Sequence, residues 1–294
     1  MVRCLLLGAS GFLGRHVYAA LRAHPHLDVV TAGRRAAHAD LWLDLATTAP
    51  AQVAEVLRVA APAVVVNCAG ATAGEPAALV AGNVLTVAAL LDAAGRLPYP
   101  VRLVHLGCAA EYGTVPVGVR VAESTPARPV DAYGVTKLAG TDLVLAARRR
   151  GVPAVVLRVF DPLGPGTPAG GVAGRIAAAV TAAARTGGPA PVGRLDGYRD
   201  FVDVRDVAAA VVAATTAREL PPPLLNVGSG RATALRTLAA AMSARAGGTV
   251  QESAGPGPVT SQRADLTAVT AVLGWRPAFE LADSVRDMWQ AVPV

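Results

Sequence analysis

Lysine is nearly missing from this chain: one residue in 294, against 26 arginines. Isoleucine also occurs once, at Ile176. A bias this strong reads as avoidance of certain codons across a genome, so most arginines stand where other proteins carry either cation. The net charge of +6 then says little about acidic partners, while the single lysine, Lys137, asks for a reason. Aromatic residues are also scarce, at 4%, and the arginines are scattered, with only Arg148–Arg150 forming a run. Nucleic-acid binding needs clustered cations and stacking rings, so no nucleic-acid partner is expected. Three cysteines (Cys4, Cys68, Cys108) cannot make an all-paired disulfide framework, and their spacing matches no zinc site, so no metal is expected. The first apolar run, Leu5–Leu7, is too short for a signal-peptide core. No stretch of about 18 apolar residues runs free of Gly, Pro or charge, which argues against a membrane span. These absences point to a soluble protein of a reducing, cytoplasmic setting, and 53% hydrophobic residues exclude a disordered chain.

What is present is alternation. Short apolar runs at Arg3–Leu7, Leu27–Ala32, Leu41–Leu43, Ala63–Asn67, Arg102–Leu106 and Ala154–Val159 read as strands. Helical patterns lie between them at Phe12–Ala23, Ala51–Ala60, Pro76–Gly95 and Asp131–Arg150. Continuous apolar strands such as Val64-Val65-Val66 fit a sheet covered on both faces. The order predicts an α/β fold with a doubly wound parallel sheet. After Phe160 the texture changes. Asp161–Gly171 reads as a loop leaving the sheet, followed by helices at Val172–Arg185, Val204–Thr216, Thr233–Ala246 and Leu281–Ala291. Short strands are expected at Asp200–Val204 and Leu224–Val227, and connecting loops at Thr186–Pro191 and Gly247–Pro258. The expected division is a dinucleotide-binding domain over residues 1–160, with 200–228 returning to it. A smaller C-terminal lobe over 161–199 and 229–294 would hold the substrate.

Gly8-Ala9-Ser10-Gly11-Phe12-Leu13-Gly14 follows the first strand and opens the first helix. Glycines there allow a tight turn and close approach of backbone to a pyrophosphate, and the helix N-terminus offers unpaired N–H groups to the phosphates. Where the second strand ends, an acidic residue would accept the ribose 2′-hydroxyl of NAD. Here stands Thr31-Ala32-Gly33-Arg34-Arg35 instead. Two guanidiniums suit a 2′-phosphate, so Arg34 and Arg35 predict NADP(H). Asp44, with Leu45 beside it, follows the third strand, where a carboxylate can accept from the adenine amino group. Asn67-Cys68-Ala69-Gly70 ends the fourth strand with small residues, letting a cofactor lie close at Ala69 and Gly70.

Tyr133-Gly134-Val135-Thr136-Lys137 opens a helical pattern, so Tyr133 and Lys137 share one face a turn apart. Hydride transfer to a carbonyl needs a proton donor for the developing alkoxide. A phenol with a pKa near ~10 serves poorly at neutral pH unless a nearby ammonium lowers it. In a chain that uses arginine everywhere else, a lysine four residues after a tyrosine carries that expectation.

Taken together, the glycine motif, Asn67–Gly70, Asn83, Tyr133–Lys137, Arg158–Gly166, Arg199-Asp200-Phe201-Val202-Asp203-Val204, Asn226–Gly230 and Leu273–Pro277 resemble the extended short-chain dehydrogenase/reductases, the NAD-dependent epimerase/dehydratase family. The resemblance implies a Rossmann domain, a substrate lobe, a nucleotide-sugar substrate and a homodimer. It adds Asn83 and Pro162 to the cofactor site, and Ala109, Glu111, Asp161, Arg199 and Arg263 to the substrate site. One position departs. The family's fifth strand usually ends in a serine or threonine that bonds the substrate oxygen, and here that residue is Cys108, a weak donor. Ala109 and Ala110 stand where the 4,6-dehydratases place Asp-Glu, and Ala110 where the epimerase–reductases place a cysteine. Elimination and cysteine-dependent epimerisation are therefore disfavoured. The pattern is closest to 4-keto-6-deoxyhexose nucleotide reductases, with Asp161 where those carry asparagine. The expected activity is reduction of a small-molecule ketone by NADPH. A polyketide or other secondary-metabolite ketone, a nucleotide-sugar 4-epimerase and a non-catalytic NADP-binding sensor are the alternatives.

Overall fold

The structure is a computed structural model and describes residues 1–34, 39–253 and 259–290. The chain begins with β1 (Val2–Leu7), α1 (Phe12–Arg22), β2 (Leu27–Gly33), β3 (Leu41–Trp42), α2 (Pro50–Ala60) and β4 (Val64–Asn67). A long helical stretch follows as α3 (Pro76–Val80), a widened π turn (Ala81–Leu85) and α4 (Thr86–Gly95). Then come β5 (Arg102–Cys108), α5 (Ala132–Arg149) and β6 (Ala154–Val159). After the short β7 (Pro162–Leu163) the chain forms α6 (Val172–Thr186), β8 (Ala190–Val192), β9 (Tyr198–Arg199), β10 (Val202–Asp203) and α7 (Val204–Thr216). It returns as β11 (Leu224–Val227) and ends with β12 (Thr233–Ala234), α8 (Leu235–Ala246), β13 (Val250–Glu252), α9 (Thr267–Leu273) and α10 (Leu281–Asp287).

Seven strands make one sheet in the order β11-β6-β5-β4-β1-β2-β3, every neighbouring pair parallel. The strand order reverses between β1 and β4, the place where open α/β sheets bind ligands. Strand alternation explains the uninterrupted apolar runs. In β1, Cys4 and Leu6 pack with Val17, Leu21 and Val211 on one face. Leu5 and Leu7 pack with Val53, Leu57 and Leu90 on the other. Burying each such side chain contributes ~1.5–3 kcal/mol, so both faces hold the sheet. Proline begins α2 and α3 at their first positions, where its missing N–H costs nothing. The stretch Pro76–Gly95 is long and apolar enough, at a mean hydropathy of 1.8, to cross a membrane by length and composition. Here it lies against the sheet, with Val87, Leu90 and Ala93 in its core.

The smaller lobe is built differently from the expectation. Three two-stranded ladders (β7 with β10, β9 with β12, β8 with β13) surround a core of Ile176, Val180, Phe201, Leu238, Met242 and Val285. The expected loops Thr186–Pro191 and Gly247–Pro258 thus contribute β8 and β13, pairing in parallel from Ala190–Val250 to Val192–Glu252. The strand expected over Asp200–Val204 shortens to Val202–Asp203, because the Asp200 carboxylate instead collects the N–H groups of Ser229, Gly230 and Ala264. Helix α9 was not foreseen, and α8 begins two residues later than Thr233. Trp275 is buried and donates to the Asp206 carbonyl at 3.0 Å, while Trp289 is 38% exposed.

Candidate active site

The glycine segment lies where β1 hands over to α1. Gly8 has φ +78, in the region that favours glycine, and a Cβ there would sit 2.7 Å from the Ala69 amide nitrogen. A Cβ on Gly14 would sit 1.9 Å from the Gly8 carbonyl oxygen, so α1 can only pack this close with glycine. Gly11 opens α1 with no side-chain cap, and the first turn holds no acidic residue. The first-turn N–H groups are left for an anion. Ser10 and Gly11 are exposed, Phe12 and Leu13 half-buried. This cradle fits a dinucleotide pyrophosphate.

Around it, Arg34 is exposed where β2 ends, while Arg35 lies outside the described residues. Asp44 is half-buried and accepts from the Ala46 N–H at 3.1 Å, with Leu45 buried behind it. Asp40, unremarked in the sequence, accepts from both the N–H and the hydroxyl of Thr31 and so pins the end of β2. Asn67 accepts from the Ala69 N–H at 3.0 Å, fixing the turn that carries Ala69 and Gly70.

Helix α5 carries the tyrosine and the lysine. Asp131 caps it by accepting from the Gly134 N–H at 2.7 Å, setting Tyr133 in the first turn. Gly134 passes so near the carbonyl of Ala110 that a Cβ would approach within 2.7 Å. Lys137, 8% exposed, donates from Nζ to the Leu106 carbonyl of β5 at 2.6 Å. The Tyr133 hydroxyl faces the sulfur of Cys108 at the end of β5. The Ala110 N–H donates to the same sulfur at 3.4 Å. Burial pushes the Tyr133 phenol well above its usual value, and the charges of Cys108, Glu111 and Asp161 add to the rise. Burial pushes Lys137 down. The sequence expectation that the ammonium lowers the phenol therefore meets the opposite balance: burial dominates, and the ammonium is engaged by Leu106. Burial also raises the Cys108 thiol, so it is no nucleophile by virtue of its surroundings.

Glu111, expected to touch substrate, is fully buried behind the site. Its carboxylate accepts from the Cys108 N–H at 2.7 Å, the Thr141 hydroxyl at 3.0 Å and Arg158 Nε at 2.8 Å. It ties the ends of β5 and β6 to α5. Arg158 in turn stacks over the Tyr112 ring at 4.2 Å. Asn83, expected at the cofactor, is likewise turned inward. It accepts from the Ala71 N–H and donates to the Ala71 carbonyl and the Thr136 hydroxyl, bracing α5 against the loop after β4. The widened turn at Ala81–Leu85 replaces the continuous helix expected there and carries Asn83 into this position.

Asp161 and Arg199 face each other, with Arg199 Nε 3.8 Å from Asp161 Oδ2. Arg199 donates to the Thr260 hydroxyl at 2.9 Å. Burial lifts the Asp161 carboxyl to about 6, opposed by Arg199 and aided by Asp200. Pro162 begins β7, and Ala109 is buried at the start of a short turn. Arg263 donates from Nε to the Gly230 carbonyl at 2.8 Å. Its neighbour Gln262, missed by sequence reading, donates to the Ala109 carbonyl at 3.1 Å and joins the lobe to the Cys108 turn. A glutamine in a segment without periodicity gives no signal of such a role.

The NAD dependent epimerase/dehydratase family profile matches residues 4–228. The chain is 36% identical over 304 aligned residues, 98% of its length and 95% of the relative's, to dTDP-6-deoxy-L-talose 4-dehydrogenase (NAD(P)(+)) of Kitasatospora kifunensis. It is 33% identical over 57% of its length, and 47% of the relative's, to dTDP-L-rhamnose 4-epimerase of Burkholderia thailandensis. The solved structure of RMD from Pseudomonas aeruginosa complexed with NADPH superimposes with a TM-score of 0.83 at 26% identity, covering 98% of this chain and 97% of that one. With the glycine cradle, the Tyr133–Lys137 helix and the parallel sheet in place, the chain belongs to the NAD dependent epimerase/dehydratase family.

Proposed function

We propose that this protein is an NADPH-dependent ketoreductase that reduces a 4-keto-6-deoxy nucleotide sugar. The observation that carries the reading is the placement of a half-buried Tyr133 beside Cys108 at the end of β5, one helical turn from Lys137. A phenol held above its usual value keeps its proton at neutral pH, which suits a donor better than a base. The chemistry that a bound reduced nicotinamide supplies is a hydride for the carbonyl carbon. Tyr133 then gives its proton to the carbonyl oxygen as negative charge develops there. Lys137, the only lysine in the chain, holds the ribose hydroxyls from the same helix face. The segment Gly8–Gly14 holds the pyrophosphate, and Arg34 the 2′-phosphate. The thiol of Cys108, whose sulfur accepts from the Ala110 N–H, is a weak donor and polarises the carbonyl little. Similarity to a 4-dehydrogenase of a dTDP-6-deoxy sugar and to an NADPH-bound structure supports this direction and this cofactor.

The second reading, a nucleotide-sugar 4-epimerase, draws on the 33% identity to a dTDP-L-rhamnose 4-epimerase. NADPH oxidation with dTDP-4-keto-6-deoxyhexoses tests the first reading, and the Tyr133→Phe variant tests the role of Tyr133. Loss of a working general acid lowers the rate ~10²-fold or more, so a rate within a factor of about three of the parent would remove Tyr133 from the reaction. Arg34→Ala should weaken NADPH more than NADH in direct binding, and equal losses would remove the 2′-phosphate contact.

A further inference from the structure

We propose that Asp161 is a specificity-determining residue, selecting a substrate that carries a hydrogen-bond donor, a hydroxyl or an ammonium, on the carbon next to the ketone. The inference rests on the ketoreductase reading above and names what that site recognises. Asp161 lies two residues after β6, and β6 pairs with β5 so that Val159 lies opposite Cys108. The residue therefore stands at the same sheet edge as Cys108 and the proposed carbonyl site. Its backbone is fixed, because the Asp161 carbonyl accepts from the Val202 N–H at 3.1 Å.

Its carboxylate is not satisfied. Oδ2 is buried and has no hydrogen-bond partner among the described residues. The facing cation, Arg199, stays 3.8 Å away and turns its Nη1 to Thr260 and to the Tyr198 carbonyl. A buried polar atom left without a partner costs the desolvation of that group, so it marks a place that a ligand completes. An ionised carboxylate accepts and cannot donate, so it can meet neither the ketone oxygen nor a phosphate; the complement is a donor. Hydroxyl and ammonium present the same chemistry to this oxygen, and the two are separated by experiment. A site built to bond a substrate donor discriminates strongly against the analogue lacking it.

The test compares kcat/KM for NADPH oxidation with three nucleotide-linked 4-keto-6-deoxyhexoses: 3-hydroxy, 3-amino and 3-deoxy. The parent protein should favour a donor-bearing sugar over the 3-deoxy sugar by about 10- to 100-fold, the range of a hydrogen bond to a charged group. Preference for the 3-amino sugar assigns an ammonium, and preference for the 3-hydroxy sugar a hydroxyl. Asp161→Leu should bring the ratio to the 3-deoxy sugar near one. The isosteric Asp161→Asn should keep part of a hydroxyl preference and lose an ammonium preference. Reduction of all three sugars by the parent at similar kcat/KM would overturn the role of Asp161 while leaving the reductase standing. No oxidation with any of them would overturn the reductase reading and the selectivity with it.

Discussion

The Tyr133 hydroxyl faces the sulfur of Cys108, which takes the Ala110 N–H at 3.4 Å. Where the family resemblance leads to the expectation of a serine or threonine, a thiol stands beside the phenol. In the proposed reaction, polarisation of the ketone then falls on Tyr133.

Cys108→Ser follows from this geometry. A serine hydroxyl can accept from the Ala110 N–H and still donate to the substrate oxygen, which a thiol does poorly. One added hydrogen bond in the transition state is worth ~1 kcal/mol, so kcat should rise about fivefold with little change in Tm. Steady-state kinetics check it. A fall in kcat at unchanged Tm would show that the sulfur itself contributes.

Glu111→Gln tests the buried tie between β5, β6 and α5. It leaves the Arg158 guanidinium, 3% exposed, without its charged partner. Breaking one side of a buried pair costs ~3–5 kcal/mol, a fall in Tm on the order of 10 °C. Thermal unfolding reads this directly, and a Tm within about 2 °C of the parent would remove Glu111 from that role.

Asp161 also makes stability depend on pH. Burial holds its carboxyl at about 6, above the ordinary 3.8, so ionisation is harder in the folded state than in the unfolded one. The cost is absent below about pH 4, grows as the pH rises and is complete above about pH 7. Asp161→Asn should therefore match the parent at low pH and exceed it at pH 8. The gain is of order 1–2 kcal/mol once the exposed part of the side chain, 30%, is allowed for. Unfolding across this range checks the sign. A gain that shrinks as pH rises would contradict it.

The sheet was legible because its strands are uninterrupted apolar runs buried on both faces, and such runs survive any detail of packing. Tyr133 and Lys137 were legible because four residues on a helix fix a shared face, and because a lone lysine stands out among arginines. The two- and three-residue ladders of the small lobe were not, since strands so short carry no period. Glu111 looked like a pocket residue by its neighbours in sequence. Its burial depends on Arg158, 47 residues away, which no local pattern announces. The inward bonds of Asn83 were equally hidden, its partners Ala71 and Thr136 lying 12 and 53 residues distant.

The most direct test of the reading is hydride bookkeeping with NADPH deuterated at the transferring position and a dTDP-4-keto-6-deoxyhexose. A ketoreductase built on Tyr133 yields one NADP+ for each alcohol formed, with deuterium on the carbon that bore the ketone. Interconversion of the 4-hydroxy sugars with no net NADPH consumed would contradict it and establish the epimerase.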